Sequence, residues 1–146
     1  GLIRYFNAVR AVIDIPMLLY NFPQHTQNPL TPEILRAVEH FGLKDSAGNP
    51  DLIAATPRYF VGSNRDIPAQ IQGGPVGFVS AAANIWPELY CALELAVAAD
   101  DHSESKRVQA KIDAKCGQSG NLSPPILKQL LSTRLIEYPH HCRPPF

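Results

Sequence analysis

Gly42-Leu43-Lys44-Asp45-Ser46-Ala47-Gly48 is the stretch from which the fold is read. Leu43 to Ser46 follow one glycine and are closed by another, the pattern of a short strand running into a turn. A lysine in a buried strand is costly, because its ammonium is strongly hydrated. Burial favours the neutral amine, which can attack a carbonyl. Upstream, Ile15-Pro16-Met17-Leu18-Leu19-Tyr20 is a continuous apolar run. It reads as a strand buried on both faces, with Pro16 at its start, where proline is tolerated. Tyr20 ends the run ahead of Asn21-Phe22-Pro23, and a phenol at a strand's end can relay a proton. Each residue alone also has an ordinary explanation. Most lysines are solvated surface charges, and most tyrosines beside apolar runs are core residues with one hydrogen-bonded tip.

Working outward, Leu2, Ile3, Phe6, Val9, Val12 and Ile13 recur at helical spacing before the first strand. Thr31-Pro32-Glu33 opens a second helix with a capping hydroxyl, a proline at the first helical position and an acid in the first turn. Ile34, Leu35, Val38 and Phe41 form its stripe, and Gly42 is expected to end it. Asn49-Pro50-Asp51 repeats the capping device, and Pro57 stops that helix. Tyr59-Phe60-Val61 is a short strand ending at Gly62. Asp66-Ile67-Pro68 starts a short helix that ends near Gly73-Gly74, and Gly77 to Ala81 is the next strand. Trp86, Leu89, Tyr90, Leu93 and Val97 mark a clearer helix. The segment from Asp100 to Lys115 is charged, with a thin stripe through Val108 and Ile112. Ser123-Pro124 caps a last short helix, and the proline-rich tail from Tyr138 reads as irregular.

Strands alternating with helices imply parallel βα units. No Gly-x-Gly-x-x-Gly follows the first strand, which argues against a dinucleotide-binding fold. Tyr20, Lys44, Gly62 and Ser80 to Asn84 fall instead at the C-terminal ends of successive strands, the face where a (β/α)₈ barrel gathers its chemistry. The chain has 146 residues, 45% hydrophobic and 18% charged, with zero formal net charge. That suits one globular unit with a real core and points to neither nucleic acid nor an anionic membrane as partner. No apolar run approaches the roughly 20 residues of a membrane span, and the N-terminus carries no signal-peptide pattern. Cys91, Cys116 and Cys142 are widely spaced, as free thiols in a reducing, cytoplasmic compartment would be. His140-His141-Cys142 does not define a tetrahedral site, so no metal is expected. The chain opens on Gly1 rather than Met, which fits a processed chain or a piece of a longer one.

Tyr-Asn-Phe-Pro at 20–23, Gly-Leu-Lys-Asp-Ser-Ala-Gly at 42–48, Val61-Gly62-Ser63 and Gly77-Phe78-Val79-Ser80-Ala81-Ala82-Ala83-Asn84 occur in one order, and Arg143-Pro144-Pro145 follows near the end. This series resembles the dihydrodipicolinate synthase/N-acetylneuraminate lyase family of pyruvate-handling class I lyases, over nearly the whole chain. The resemblance implies an α/β chain of the (β/α)₈ TIM-barrel family, covering about strands five to eight and part of the C-terminal helical region. Residues 1–99 would form the second half of the barrel and 100–146 a truncated C-terminal helical extension. A closed barrel has eight strands and about 250 residues, so roughly a hundred would lie elsewhere. The family's Thr-Thr turn that holds the keto-acid carboxylate, and a further tyrosine, belong to the half not in this chain. A half-barrel has open sheet edges and exposed apolar faces, so either the protein is longer or another chain completes it.

By the same resemblance, Lys44 would form a Schiff base with pyruvate or another 2-keto acid, and Tyr20 would move its protons. Gly62 and Val79 would line the bound pyruvyl group. Asn21, Pro23, Asp45 and Asn84 look architectural, as turn residues or side chains bonding local backbone. No cofactor is implied, and family members are commonly homotetramers. His25 stands where the family's dihydrodipicolinate synthases usually carry an arginine for the second substrate's carboxylate, and a histidine offers neither a fixed fork nor a permanent charge. Ser63-Asn64-Arg65 stands where sialic acid lyases carry acidic residues, and Ala81 replaces a polar position. Asn64 and Arg65 would then meet the aldehyde partner, Arg65 either favouring an anion or standing as a solvated surface charge. The Tyr-Asn-Phe-Pro form at 20–23 resembles family members that cleave 2-keto-3-deoxy sugar acids, and the reading leans toward such an aldolase. The alternatives are dihydrodipicolinate synthase, with His25 in the arginine's place, and a non-catalytic fragment or subunit.

Overall fold

The computed structural model describes residues 1–64, 67, 77–118, 122–135 and 137–144. They fall into two compact units: Gly1–Ser63 with Gly77–Val79, and Asn64, Ile67 and the described residues from Ser80 onward.

The first unit is built on a parallel sheet of β1 (Leu18–Asn21), β2 (Gly42–Asp45), β3 (Tyr59–Val61) and β4 (Gly77–Phe78), in that spatial order. Tyr20 pairs with Lys44, and Lys44 with Phe60. Because parallel strands in register present alternate residues to alternate faces, Leu19, Leu43 and Tyr59 share one face with Asn21, Asp45 and Val61. All six are at most 2% exposed. They form the core with Leu30, Leu35, Val38 and Leu52. Each fully buried Leu or Val contributes about 1.5–3 kcal/mol relative to exposure. The opposite face carries Leu18, Tyr20, Lys44 and Phe60. Leu18 and Tyr20 are 44% and 46% exposed, so the strand, which begins at Leu18 rather than Ile15, alternates and is not buried on both faces.

Helical turns start at the expected Pro32, Pro50, Pro87 and Pro124. α1 (Leu2–Arg10) precedes the sheet, and α2 (Pro23–Thr26) is a single turn after β1. In α3 (Pro32–Ala37), Thr31 Oγ accepts from the Ile34 amide at 3.4 Å and Pro32 takes the first position. That helix ends at Ala37 rather than at Gly42, because Val38 is already extended. Gly42 instead begins β2, where a Cβ would lie 2.8 Å from the Arg58 carbonyl oxygen. Asn49 caps Pro50–Ala55 through its side chain, but the turn winds as a 3₁₀ helix. β4 stops at Phe78 rather than reaching Ala81.

In the second unit Ser80 caps a 3₁₀ turn over Ala81–Asn84 through its side chain. α4 (Pro87–Ala98) buries Tyr90, Leu93 and Ala96. α5 (His102–Gln118) buries the expected Val108 and Ile112, together with Ser105 and Gln109. α6 (Pro124–Ser132) starts at Ser123, whose hydroxyl makes no capping bond. The helix expected between Asp66 and Gly74 lies outside the described residues save Ile67.

Candidate active site

The open face of the sheet brings Tyr20 and Lys44 together. They are Cα partners across β1 and β2, and Lys44 Nζ stands 4.1 Å from the centre of the Tyr20 ring. A cation over an aromatic face at such a site is worth about 0.5–1 kcal/mol. Lys44 is half-buried rather than fully buried, since it projects from the exposed face. The Tyr20 ring also stacks on Phe22, centroids 5.4 Å apart, and Phe22 lies 4.2 Å from the ring of exposed His25. That ladder depends on α2, which turns the chain back after Phe22 and closes with Gln27 in the left-handed region at φ 54°. α2 was not expected, although Pro23 at its first position was the available signal.

Beneath this face lies a buried carboxylate. Asp45 is 0% exposed. Its Oδ1 accepts from Asn21 Nδ2 at 2.9 Å and from the Ala47 amide at 2.8 Å. Its Oδ2 accepts from the Asn49 amide and the Tyr59 hydroxyl, both at 2.8 Å. Asn21 Oδ1 in turn accepts from the Leu30 amide at 3.0 Å. These bonds replace the carboxylate's water and fix the turn that follows Lys44. Burial, with Asp45 as hydrogen-bond partner, pushes the Tyr59 phenol well above its ordinary value. The architectural roles expected of Asn21 and Asp45 are visible here; Tyr59 was read only as a strand residue. Asn84 likewise bonds local backbone, its Nδ2 donating to Ala81 O at 3.1 Å.

Gly62 follows β3, and its amide donates to Asp45 O at 2.7 Å. A Cβ there would stand 2.5 Å from Ser46 Oγ and 2.9 Å from Asp45 O, so the backbone of β2 and the serine require a glycine. Ser46 had no expected role. Its hydroxyl reaches the Gly62 carbonyl at 3.2 Å and the Tyr20 hydroxyl at 3.4 Å. Val79 prolongs the ladder, its amide donating to Val61 O at 2.9 Å, and its side chain is exposed.

Asn64 belongs to the second unit. Its Oδ1 accepts from the Ser80 hydroxyl and, at 2.9 Å, from the Tyr90 hydroxyl. Its carbonyl accepts from Gln109 Nε2 at 2.8 Å. The Asn64 acceptor is thus committed within its own unit. Burial pushes the Tyr90 phenol up to about 12. Arg65 lies outside the described residues. Among the described residues no group of three or more His, Cys, Asp or Glu could hold a metal ion, and no helix is long and apolar enough to cross a membrane.

The sequence is similar to 4-hydroxy-tetrahydrodipicolinate synthase of Dechloromonas aromatica (strain RCB), 32% identical over 123 residues, which are 77% of this chain and 42% of that protein. The fold is similar to dihydrodipicolinate synthase of Bacteroides thetaiotaomicron, with TM-score 0.80, 27% identity, and coverage of 99% of this chain and 55% of that one. It is also similar to the chloride-inhibited dihydrodipicolinate synthase of Acinetobacter baumannii, solved with pyruvate, at TM-score 0.78 and 22% identity over 91% of this chain and 50% of that one. The chain therefore spans about half the length of these relatives. The strand order and register match the α/β, TIM-barrel character of these neighbours. With the model of the dihydrodipicolinate synthetase family matching residues 1–146, this chain belongs to that family.

Proposed function

We propose that the chain carries the Schiff-base half of a class I carbon–carbon lyase, which condenses pyruvate with an aldehyde or releases it. The observation that carries this is the cross-strand pair: Lys44 Nζ lies 4.1 Å from the Tyr20 ring centre on the open face of a parallel sheet. The Lys44 amine attacks the keto carbon, and the resulting carbinolamine loses its hydroxyl as water after receiving a proton from Tyr20. The hydroxyl on the departing carbon then gives its proton to the Tyr20 phenolate and becomes the aldehyde carbonyl, while the C–C bond breaks and its electron pair passes to the protonated imine, giving the enamine. Gly62 and Val79 flank the pyruvyl group, while His25 meets the aldehyde partner. His25 in place of an arginine argues against the synthase, and the Tyr-Asn-Phe-Pro form at 20–23 supports a 2-keto-3-deoxy sugar acid. The working enzyme is a cytoplasmic homo-oligomer, a tetramer by resemblance, with the barrel's other strands supplied.

The test is borohydride reduction of the complete enzyme with pyruvate, followed by peptide mass spectrometry. One reduced pyruvyl adduct is expected, on Lys44, and it disappears in Lys44→Ala. A complete enzyme that takes up no adduct is not a Schiff-base lyase, and the non-catalytic subunit then stands in its place. A second activity, 4-hydroxy-tetrahydrodipicolinate synthase, is supported by the name of the Dechloromonas relative. A coupled assay with pyruvate and aspartate semialdehyde decides it, and turnover at background removes it.

A further inference from the structure

We infer that Ser46 is a positioning residue for the proton that Tyr20 carries, an inference that rests on the lyase assignment above. The Ser46 hydroxyl lies 3.2 Å from the Gly62 carbonyl oxygen and 3.4 Å from the Tyr20 hydroxyl. A carbonyl only accepts and a serine carries one proton, whereas a phenol both donates and accepts. While Tyr20 is protonated, two arrangements exist. Either Ser46 donates to Gly62 and receives from Tyr20, or it donates to Tyr20. Once Tyr20 has given its proton away, the Ser46 O–H can turn toward the phenolate and donate to it.

Ser46 keeps its own proton throughout. The bond that breaks is Tyr20 O–H, the bond that forms joins that proton to the departing hydroxyl of the bound intermediate, and the electron pair stays on the Tyr20 oxygen. A hydrogen bond to an ionised oxygen is roughly twice as strong as a neutral one. The contact therefore tightens as charge develops, the condition for lowering a barrier rather than merely binding. The position is held by the backbone: the Ser46 amide donates to Asn21 O at 2.9 Å, and the Gly62 amide to Asp45 O at 2.7 Å. The hydroxyl occupies space that exists because residue 62 has no Cβ.

The experiment compares the complete enzyme with Ser46→Ala, Ser46→Thr and Ser46→Val, the last two being similar in shape and differing in the hydroxyl. All are expected to form the Lys44 adduct with KM for pyruvate within about twofold of the parent. In the Ala and Val variants kcat falls about tenfold, from loss of a hydrogen bond to a charged group. The alkaline limb of their kcat profile moves to higher pH, because the phenolate has lost its donor. The Thr variant keeps the parent's values. A Ser46→Ala profile superimposed on the parent's overturns the inference, as does an equal loss in Thr and Val, which marks packing instead. A parent that forms no adduct removes the lyase assignment itself, and this inference with it.

Discussion

Asp45 carries the sharpest prediction at the scale of single residues. It is a fully buried carboxylate that accepts from four hydrogen-bond donors. Asp45→Asn keeps the volume but turns an NH₂ toward two of those donors. The loss is expected to be on the order of 3 kcal/mol, the scale for breaking a buried charged network. Urea unfolding measures it, and a change under about 0.5 kcal/mol, typical of neutral surface changes, contradicts the network's importance. Tyr90 gives a pH prediction. Its folded phenol is raised from 10.0 to about 12, chiefly by burial. The unfolded chain therefore releases the proton first as pH rises. The stability from this group is complete below 10.0 and is lost progressively as pH climbs to about 12. Tyr59, also shifted upward, acts in the same direction. Urea midpoints across that window should fall more steeply in the parent than in Tyr90→Phe, and parallel slopes refute the assignment. Tyr20 and Lys44 were singled out by residue type and position. Ser46 and Tyr59 were not, because their roles come from partners 14 to 26 residues away, which local pattern does not display.

At the scale of elements, what could be read depended on local signals. The starts of α3 and of the 3₁₀ turn at Pro50 were legible from Thr31-Pro32 and Asn49-Pro50, since a cap is written in adjacent residues. The stop before Pro57 was legible too, but the end of α3 was not, because Val38 and Phe41 continue the apolar pattern after the helix has given way to extended chain. The double burial expected of Ile15–Tyr20 failed for a related reason. A continuous apolar run reports hydrophobicity on both faces, not what covers each of them. α5 shows the opposite case: a charged segment whose thin stripe is nonetheless deeply buried, with Val108 2% and Ile112 0% exposed. Ile112→Ala is expected to cost about 2–5 kcal/mol, the transfer term plus the cavity left behind. The exposed Arg107–Glu104 pair on the same helix, 2.5 Å apart, should contribute far less, because water and salt screen it. Chemical denaturation of Ile112→Ala and Arg107→Ala ranks them, and equal losses contradict this account of what holds α5.

At the scale of the molecule, the sheet is asymmetric in a way that governs association. One face is buried by the chain's own side chains, whereas the other leaves Leu18, Tyr20 and Val79 between 40% and 46% exposed around Lys44. Among the described residues β1 pairs only with β2 and β4 only with β3, so both edges offer unpaired backbone groups. Exposed apolar strand edges recruit further strands unless charge or proline discourages them, and Leu18 and Leu19 offer neither. The 146 residues studied by themselves should therefore associate reversibly, their sedimentation coefficient rising with concentration. Leu18→Lys places a charge on the open face at the β1 edge. It should shift that equilibrium toward monomer, while the circular dichroism of the chain stays the same because Leu18 is not part of the buried core. A parent that sediments as a monomer at all concentrations, with its helix and strand signal intact, sinks this account. It would mean that the open face of the sheet is stable in water without a covering partner.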